Sequence, residues 1–179
     1  IVNQGGFGKF FHHREPMPVE KQDVVRANRD TLYSAAIFDL DAGPVTITLP
    51  EAGSRFRSMI LIDEDQYALA VAYDPGSYSL SSEAVGTRYA LVAIRTLVDP
   101  GSPDDIQRVH ALQDAIQVEQ KSSGRFYVPN WDQAGQKKVR DALVTLGQTL
   151  SDSRRMFGTR YQVDAVRHLI GTAMAWGGN

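Results

Sequence analysis

The sequence contains no cysteine, which excludes disulfide bonds, thiolate metal sites and a cysteine nucleophile. Its charges nearly cancel, because 19 Lys and Arg residues stand against 21 Asp and Glu residues, for a formal net charge of -2. This balance supplies no global field that would attract nucleic acid, so a general DNA or RNA binder is disfavoured. No apolar run approaches the roughly 20 residues that cross a bilayer, and the sequence therefore predicts no membrane span.

A length of 179 residues with 42% hydrophobic content predicts a single domain over residues 1–179. Within it we expect a β-rich core over residues 25–98 and a helical segment over residues 102–176 that packs on this core. The chain starts at Ile1 and ends directly after an apolar helical pattern, so we expect it to be a fragment of a larger protein. We place the protein in the cytoplasm and leave the periplasm or export open.

Period-two alternation of apolar and polar residues predicts short β-strands. In residues 45–49, Val45, Ile47 and Leu49 alternate with threonines. This strand and a strand over 31–40 are predicted to form a hairpin. Further strands are predicted over 55–63, 67–73, 77–80 and 87–98. Strands of this number with short turns predict an antiparallel β-sandwich or roll.

The pattern changes to helical spacing after residue 99. Ser102 is a suitable N-cap and Pro103 suits the first helical position, so a helix is predicted to start there, with Gly124 ending any continuation. Two more helices are predicted over 139–150 and 166–176. The predicted fold class is therefore α+β, with a β-sandwich or roll followed by a mainly helical C-terminal segment.

The densest group of polar side chains lies at the start of the first long predicted strand, in residues 25–34. Folding alone does not require two guanidiniums, a carboxamide, a carboxylate and a phenol at one strand end. We expect a site for a small anionic or carbonyl-bearing molecule there. Arg26 and Arg29 would hold the anion, and Asn28 would donate a hydrogen bond to it. Asp30 and Tyr33 would be the catalytic residues that manage a proton.

The same residues also suit a non-catalytic ligand-binding or interaction module, in which they form a rigid polar network. The sequence leaves enzyme and module open. An open pocket at Asp30 and Tyr33 would favour chemistry, and closure by arginine partners would favour a scaffold.

The remaining arginines on or beside predicted strands have a structural interpretation. Arg55, Arg57, Arg88 and Arg95 would form ion pairs with carboxylates such as Asp30, Asp39, Asp63 and Glu64.

The histidines do not predict a metal site, because no motif gives three ligands at a familiar spacing. His12 and His13 are adjacent and point apart in an extended chain. His110 is expected to flank a helix and bond to a carbonyl. No motif implies a cofactor.

Several segments occur in the order found in one bacterial family: Arg26–Ser34, Asp39–Val45, Leu49–Pro50, Gly86–Tyr89, Arg95–Pro100, His110–Ala115 and Trp176–Asn179. On these segments the sequence resembles the domain-of-unknown-function family numbered 1254, over essentially the whole chain. The resemblance implies a predominantly β fold for the first hundred residues and supplies no reaction.

Members of that family usually continue into a second, strand-rich region, the companion family numbered 1214. The resemblance therefore implies that this chain is the N-terminal part of a longer protein. Its expected partners are a small anionic ligand and the missing C-terminal β-rich half, with a homo-oligomer left open.

Overall fold

The computed structural model describes residues 1–16 and 28–175. In these residues the chain forms eight β-strands and four α-helices. The elements in chain order are β1 Phe11–His12, β2 Thr31–Asp39, β3 Val45–Leu49, β4 Arg57–Asp63, β5 Ala68–Ala72, β6 Gly76–Leu80, α1 Ser82–Val85, β7 Tyr89–Leu97, α2 Pro103–Asp114, β8 Gln117–Gln120, α3 Gln133–Gly147 and α4 Ala165–Ala175.

The larger sheet has five antiparallel strands in the order β1-β2-β7-β4-β5. Its central pair, β2 and β7, is matched along nine residues, from Thr31 opposite Leu97 to Asp39 opposite Tyr89. Alternate residues of β2 enter the core, as Ala36 and Phe38 do at 0% exposure. The alternation in the sequence thus reflects a sheet that is buried on one face.

The smaller sheet has three antiparallel strands in the order β6-β3-β8. Val45, Ile47 and Leu49 of β3 join residues of the larger sheet in one apolar cluster, which forms the core between the two sheets. Fold class α+β is confirmed, with a sandwich of two antiparallel sheets and helices concentrated toward the C-terminus.

The hairpin predicted from β2 and β3 is wrong, because the two strands lie in different sheets. Between them, Leu40–Ala42 forms a 3-10 turn, which the carboxylate of Asp39 caps by accepting from the Asp41 amide. Gly43 follows with φ 129° and directs the chain toward the second sheet.

The predicted N-terminus of α2 is confirmed, since the Ser102 hydroxyl accepts from the Asp105 amide and Pro103 is the first helical residue. The helix does not reach Gly124, the residue that was expected to end any continuation. The helix ends at Asp114, and β8 follows and pairs with β3. Val118 of β8 packs against the main core, so tertiary pairing outweighs the helical spacing there.

Helices α3 and α4 contact each other, and the region before α4 attaches to the turn between β4 and β5. The Ala68 amide donates to the carbonyl of Gly158, and the ring of His168 stacks on Tyr67 with 4.3 Å between centroids. Nδ1 of His168 lies 2.7 Å from the carbonyl oxygen of Met156, and Nε2 lies 2.9 Å from that of Asp65.

Among the described residues, no helix combines the length and apolar character needed to cross a membrane.

Candidate functional site

One end of the larger sheet collects the starts of two strands and the end of a third. Strands β2 and β4 each pair antiparallel with β7, so they run parallel to each other and begin at the same end of the sheet. In this register Arg95 of β7 lies opposite Tyr33 of β2 and also opposite Ser58 of β4. Residues directly opposite each other share a sheet face, so the three side chains form one row.

This row lines an open cleft of about 380 Å³, which we call the outer cleft. Four of its lining residues carry polar groups, namely Tyr33, Ser58, Tyr73 and Arg95. The other lining residues are apolar: Ile60, Val71, Ala93 and Ile94. Mostly apolar walls with a few converging polar groups are typical of sites that bind small molecules, and the volume is at the lower end of their range.

Arg95 is oriented by two contacts at the outer cleft. Its Nε donates to Oγ of Ser58 at 3.0 Å, and its guanidinium carbon lies 5.3 Å from the ring centroid of Phe56. Within the described part of the chain this is the one hydrogen bond of the guanidinium, so its two terminal nitrogens remain for a ligand. Two parallel N–H groups match the geometry of a carboxylate.

The polar residues predicted as a site, which lie in the motif of residues 25–34, contribute unequally to this cleft. Tyr33 lines it and is half-buried, whereas Asn28, Arg29 and Asp30 are exposed just before β2 and are not among its lining residues. The backbone carbonyl of Asp30 accepts from the Val98 amide, which fixes the start of β2 against the chain that follows β7. Arg26 lies outside the described residues.

Ser34 faces the opposite side of β2 and joins a buried polar network. Its Oγ lies 2.8 Å from Nδ1 of His12 and accepts from Nε2 of Gln113 at 3.3 Å. Gln113 Nε2 also donates to the carbonyls of His13 and Tyr33. Burial, reinforced by the nearby charge of Arg14, lowers the pKa of His12, which favours the neutral ring that can accept from Ser34. Ser34 therefore ties β1, β2 and α2 together.

Two arginines beside the strands form bidentate ion pairs. Arg88 donates to both carboxylate oxygens of Asp39, at 2.9 and 2.8 Å, which confirms the structural interpretation for that pair. Arg55 instead pairs with both oxygens of Asp105 on α2. The hydrogen bonds from Arg88 and Arg55 hold the pKa values of Asp39 and Asp105, respectively, below their ordinary range.

The histidines have structural contacts. His110 donates from Nε2 to the carbonyl of Arg14, so the expectation of a helix-flank residue bonded to a carbonyl is confirmed. His13 packs edge-on against Phe11. In the described ranges 1–16 and 28–175, no group of three His, Asp or Glu side chains is placed to hold a metal ion.

Ser58 and Arg95 are two polar residues of the outer cleft that sequence reasoning did not select as site residues. They are hydrogen-bonded although 37 positions separate them, so only the pairing of β4 with β7 brings them together. The available signal was weak: each is a polar residue within an apolar strand, at a position where alternation permits either a solvent-facing or a site-facing side chain.

The architecture defines an α+β protein built on a sandwich of two antiparallel sheets, a class that hosts many unrelated functions. Residues 7–79 match the family described as "Protein of unknown function (DUF1254)", which confirms the sequence resemblance over that segment. No curated protein matches the chain.

The fold is similar to a crystal structure of the VPA0106 protein from Vibrio parahaemolyticus. The two share 16% identity with a TM-score of 0.68, and the match covers 86% of this chain. At this identity the similarity shows the fold alone. The chain spans 58% of the length of that relative.

Proposed function

We propose that this domain binds a small anionic or carbonyl-bearing molecule in the outer cleft. The observation that carries the proposal is the convergence of Tyr33, Ser58 and Arg95 on one open space with apolar walls. The terminal nitrogens of Arg95 hold a carboxylate or carbonyl oxygen, and the phenol of Tyr33 donates to it. Ile60 and Val71 contact an apolar portion of the ligand.

The cation in this proposal is Arg95 rather than the motif arginines. The sequence predictions that Arg26 and Arg29 hold the anion and that Asn28 donates to it remain predictions. The enzymatic version keeps Asp30 and Tyr33 as the pair that moves a proton. Strand geometry supports binding more directly, because Tyr33 lines the cleft and Asp30 precedes the strand in an exposed position.

The test is binding of small carboxylates that differ in their apolar part and have more than two carbons, such as pyruvate and benzoate, measured by calorimetry and by thermal unfolding. A ligand at about a hundred times its dissociation constant adds roughly 2.7 kcal/mol to the free energy of unfolding. For a chain of this size we expect a rise of roughly 5 to 11 °C in Tm.

Arg95→Gln should abolish the binding, and Tyr33→Phe should weaken it. The matched control is Lys138→Gln, which removes one positive charge at an exposed position of α3 and should leave binding unchanged. Equal loss of binding in Arg95→Gln and Lys138→Gln would indicate a response to net charge, and it would contradict a site in the outer cleft.

A further inference from the structure

Arg57, at the start of β4, is the least satisfied polar side chain among the described residues. It is 3% exposed. Four buried side-chain polar atoms of the described chain have no hydrogen-bond partner, and three of them are Nε, NH1 and NH2 of Arg57. The fourth is Oγ1 of Thr31. Most of the unsatisfied hydrogen-bonding capacity among these buried atoms therefore belongs to one cationic group.

The position of Arg57 follows from the strand register. Met59 and Leu61, two and four residues further along β4, belong to the core between the sheets, so Arg57 faces the same interior. It lies opposite Thr96, which in turn lies opposite Leu32. The outer cleft lies on the other face of this sheet, where Ser58 points.

A layer of buried polar residues crosses this interior between two apolar clusters. The larger cluster contains Met59 and Ile94, and the smaller one contains Leu32, Val98 and Val109. Polar side chains occupy the boundary: Ser34, Arg57, Thr96 and Gln113. Ser34 and Gln113 hydrogen-bond each other, whereas Arg57 has no such partner in the part of the chain described.

Burying a guanidinium without a partner raises the free energy of the folded state. The side chain cannot avoid this cost by losing its proton, because arginine stays charged at any ordinary pH. Burial lowers the pKa of Arg57, and Coulombic interactions with Tyr78 and Glu51 oppose this effect. Neither group is hydrogen-bonded to Arg57. The Tyr78 hydroxyl donates to the carbonyl of Asp74 instead.

We propose that Arg57 forms an internal anion site that takes a small planar oxyanion, the carboxylate of a one- or two-carbon acid. The planar fork of donors fits two carboxylate oxygens, and a guanidinium that is only 3% exposed is accessible to small anions rather than to large ones. This site lies on the inner face of the sheet and does not depend on the proposed function of the outer cleft.

The experiment uses the full chain, freed of small anions by dialysis into a zwitterionic buffer with sodium gluconate. Gluconate keeps the ionic strength constant and is too large for so little exposed a site. Equilibrium dialysis against labelled formate and acetate measures binding, and thermal unfolding measures Tm at the same concentrations. The variants are Arg57→Met, which fills the space without charge, and Arg57→Lys, which keeps the charge without the fork.

We expect the parent chain to retain formate and to gain several degrees in Tm in a saturable manner. Arg57→Met should lose both effects, and in gluconate it should unfold at the same temperature as the parent or higher, because an uncompensated buried charge has been removed. Arg57→Lys should bind formate more weakly. Arg95→Gln should retain the Arg57-dependent binding, which distinguishes this site from the outer cleft.

Arg55→Met is the matched control, since Arg55 is already paired with Asp105. It should lower Tm in gluconate and leave the formate response intact. The proposal is overturned if the parent binds neither formate nor acetate. It is also overturned if Arg57→Met lowers Tm in gluconate as Arg55→Met does, or if Glu51→Gln lowers Tm only while Arg57 is present. Either of the last two results would show that the chain itself supplies the counter-charge.

Discussion

Replacing Gly124 by alanine tests how rigidly the carboxylate of Asp39 is held. Gly124 has φ +69°, and a Cβ built there would lie 2.4 Å from Oδ2 of Asp39. That carboxylate is fixed by Arg88 and by the backbone amide of Arg125, so it has little freedom to withdraw. Gly53 is the matched control, because it has φ +59° and no atom within 4 Å of the same built Cβ.

The left-handed backbone alone should cost about 1–2 kcal/mol at either glycine. At Gly124 the clash adds an overpacking term of roughly 1–3 kcal/mol. We therefore expect Gly124→Ala to lower the free energy of unfolding by about 2–5 kcal/mol and Gly53→Ala by about 1–2 kcal/mol. Chemical denaturation measures both values, and each kcal/mol corresponds to roughly 2–4 °C in Tm.

A double variant identifies the source of the difference. With Asp39→Gly present, Gly124→Ala should cost no more than Gly53→Ala, because the whole side chain that clashes, including its Cβ at 2.7 Å, is gone. The reasoning is refuted if Gly124→Ala and Gly53→Ala cost the same in the parent chain. It is also refuted if the excess at Gly124 persists after Asp39 is removed.

Two further outcomes are expected. Hydrogen bonds from arginines lower the folded-state pKa of Asp39 and of Asp105, so their contribution is present above the ordinary pKa near 4 and is lost as pH falls below it. Stability should therefore drop on acidification, and a smaller drop is expected in Arg55→Gln; an unchanged acid profile in that variant would contradict the link to Asp105. His168→Phe keeps a ring against Tyr67 but leaves the carbonyls of Met156 and Asp65 without that partner, so chemical denaturation should show a loss of roughly 1–3 kcal/mol. A neutral result would mean that stacking alone holds α4 to the β4–β5 turn.

Local signals in the sequence predicted individual elements well. The Ser102 cap and the alternation in β3 depend on nearest neighbours along the chain, and the structure bears out both. The partner of each strand depends on the whole chain, so the predicted β2–β3 hairpin was wrong. Strand β8 was missed because its four residues acquire strand character only by pairing with β3.

Polar density at the start of β2 predicted a site at the end of the sheet where the outer cleft lies, and it selected Tyr33, which lines that cleft. The cleft also needs Ser58 and Arg95, which arrive from β4 and β7 through pairing that no local pattern encodes. The burial of Arg57 was equally hidden, because two-residue alternation does not reveal which face of a strand becomes the interior.

The pairing of β2 with β7 also has consequences for how the chain folds. Pairing Thr31 with Leu97 closes a long loop that contains all the intervening chain, whereas pairing β4 with β5 closes only a short turn. Closing the longer loop costs more entropy before any contact offsets it, so the central ladder should form late and folding should be slow. Until then Phe38 and its neighbours on β2 remain exposed, and this interval is when the chain is most prone to aggregate.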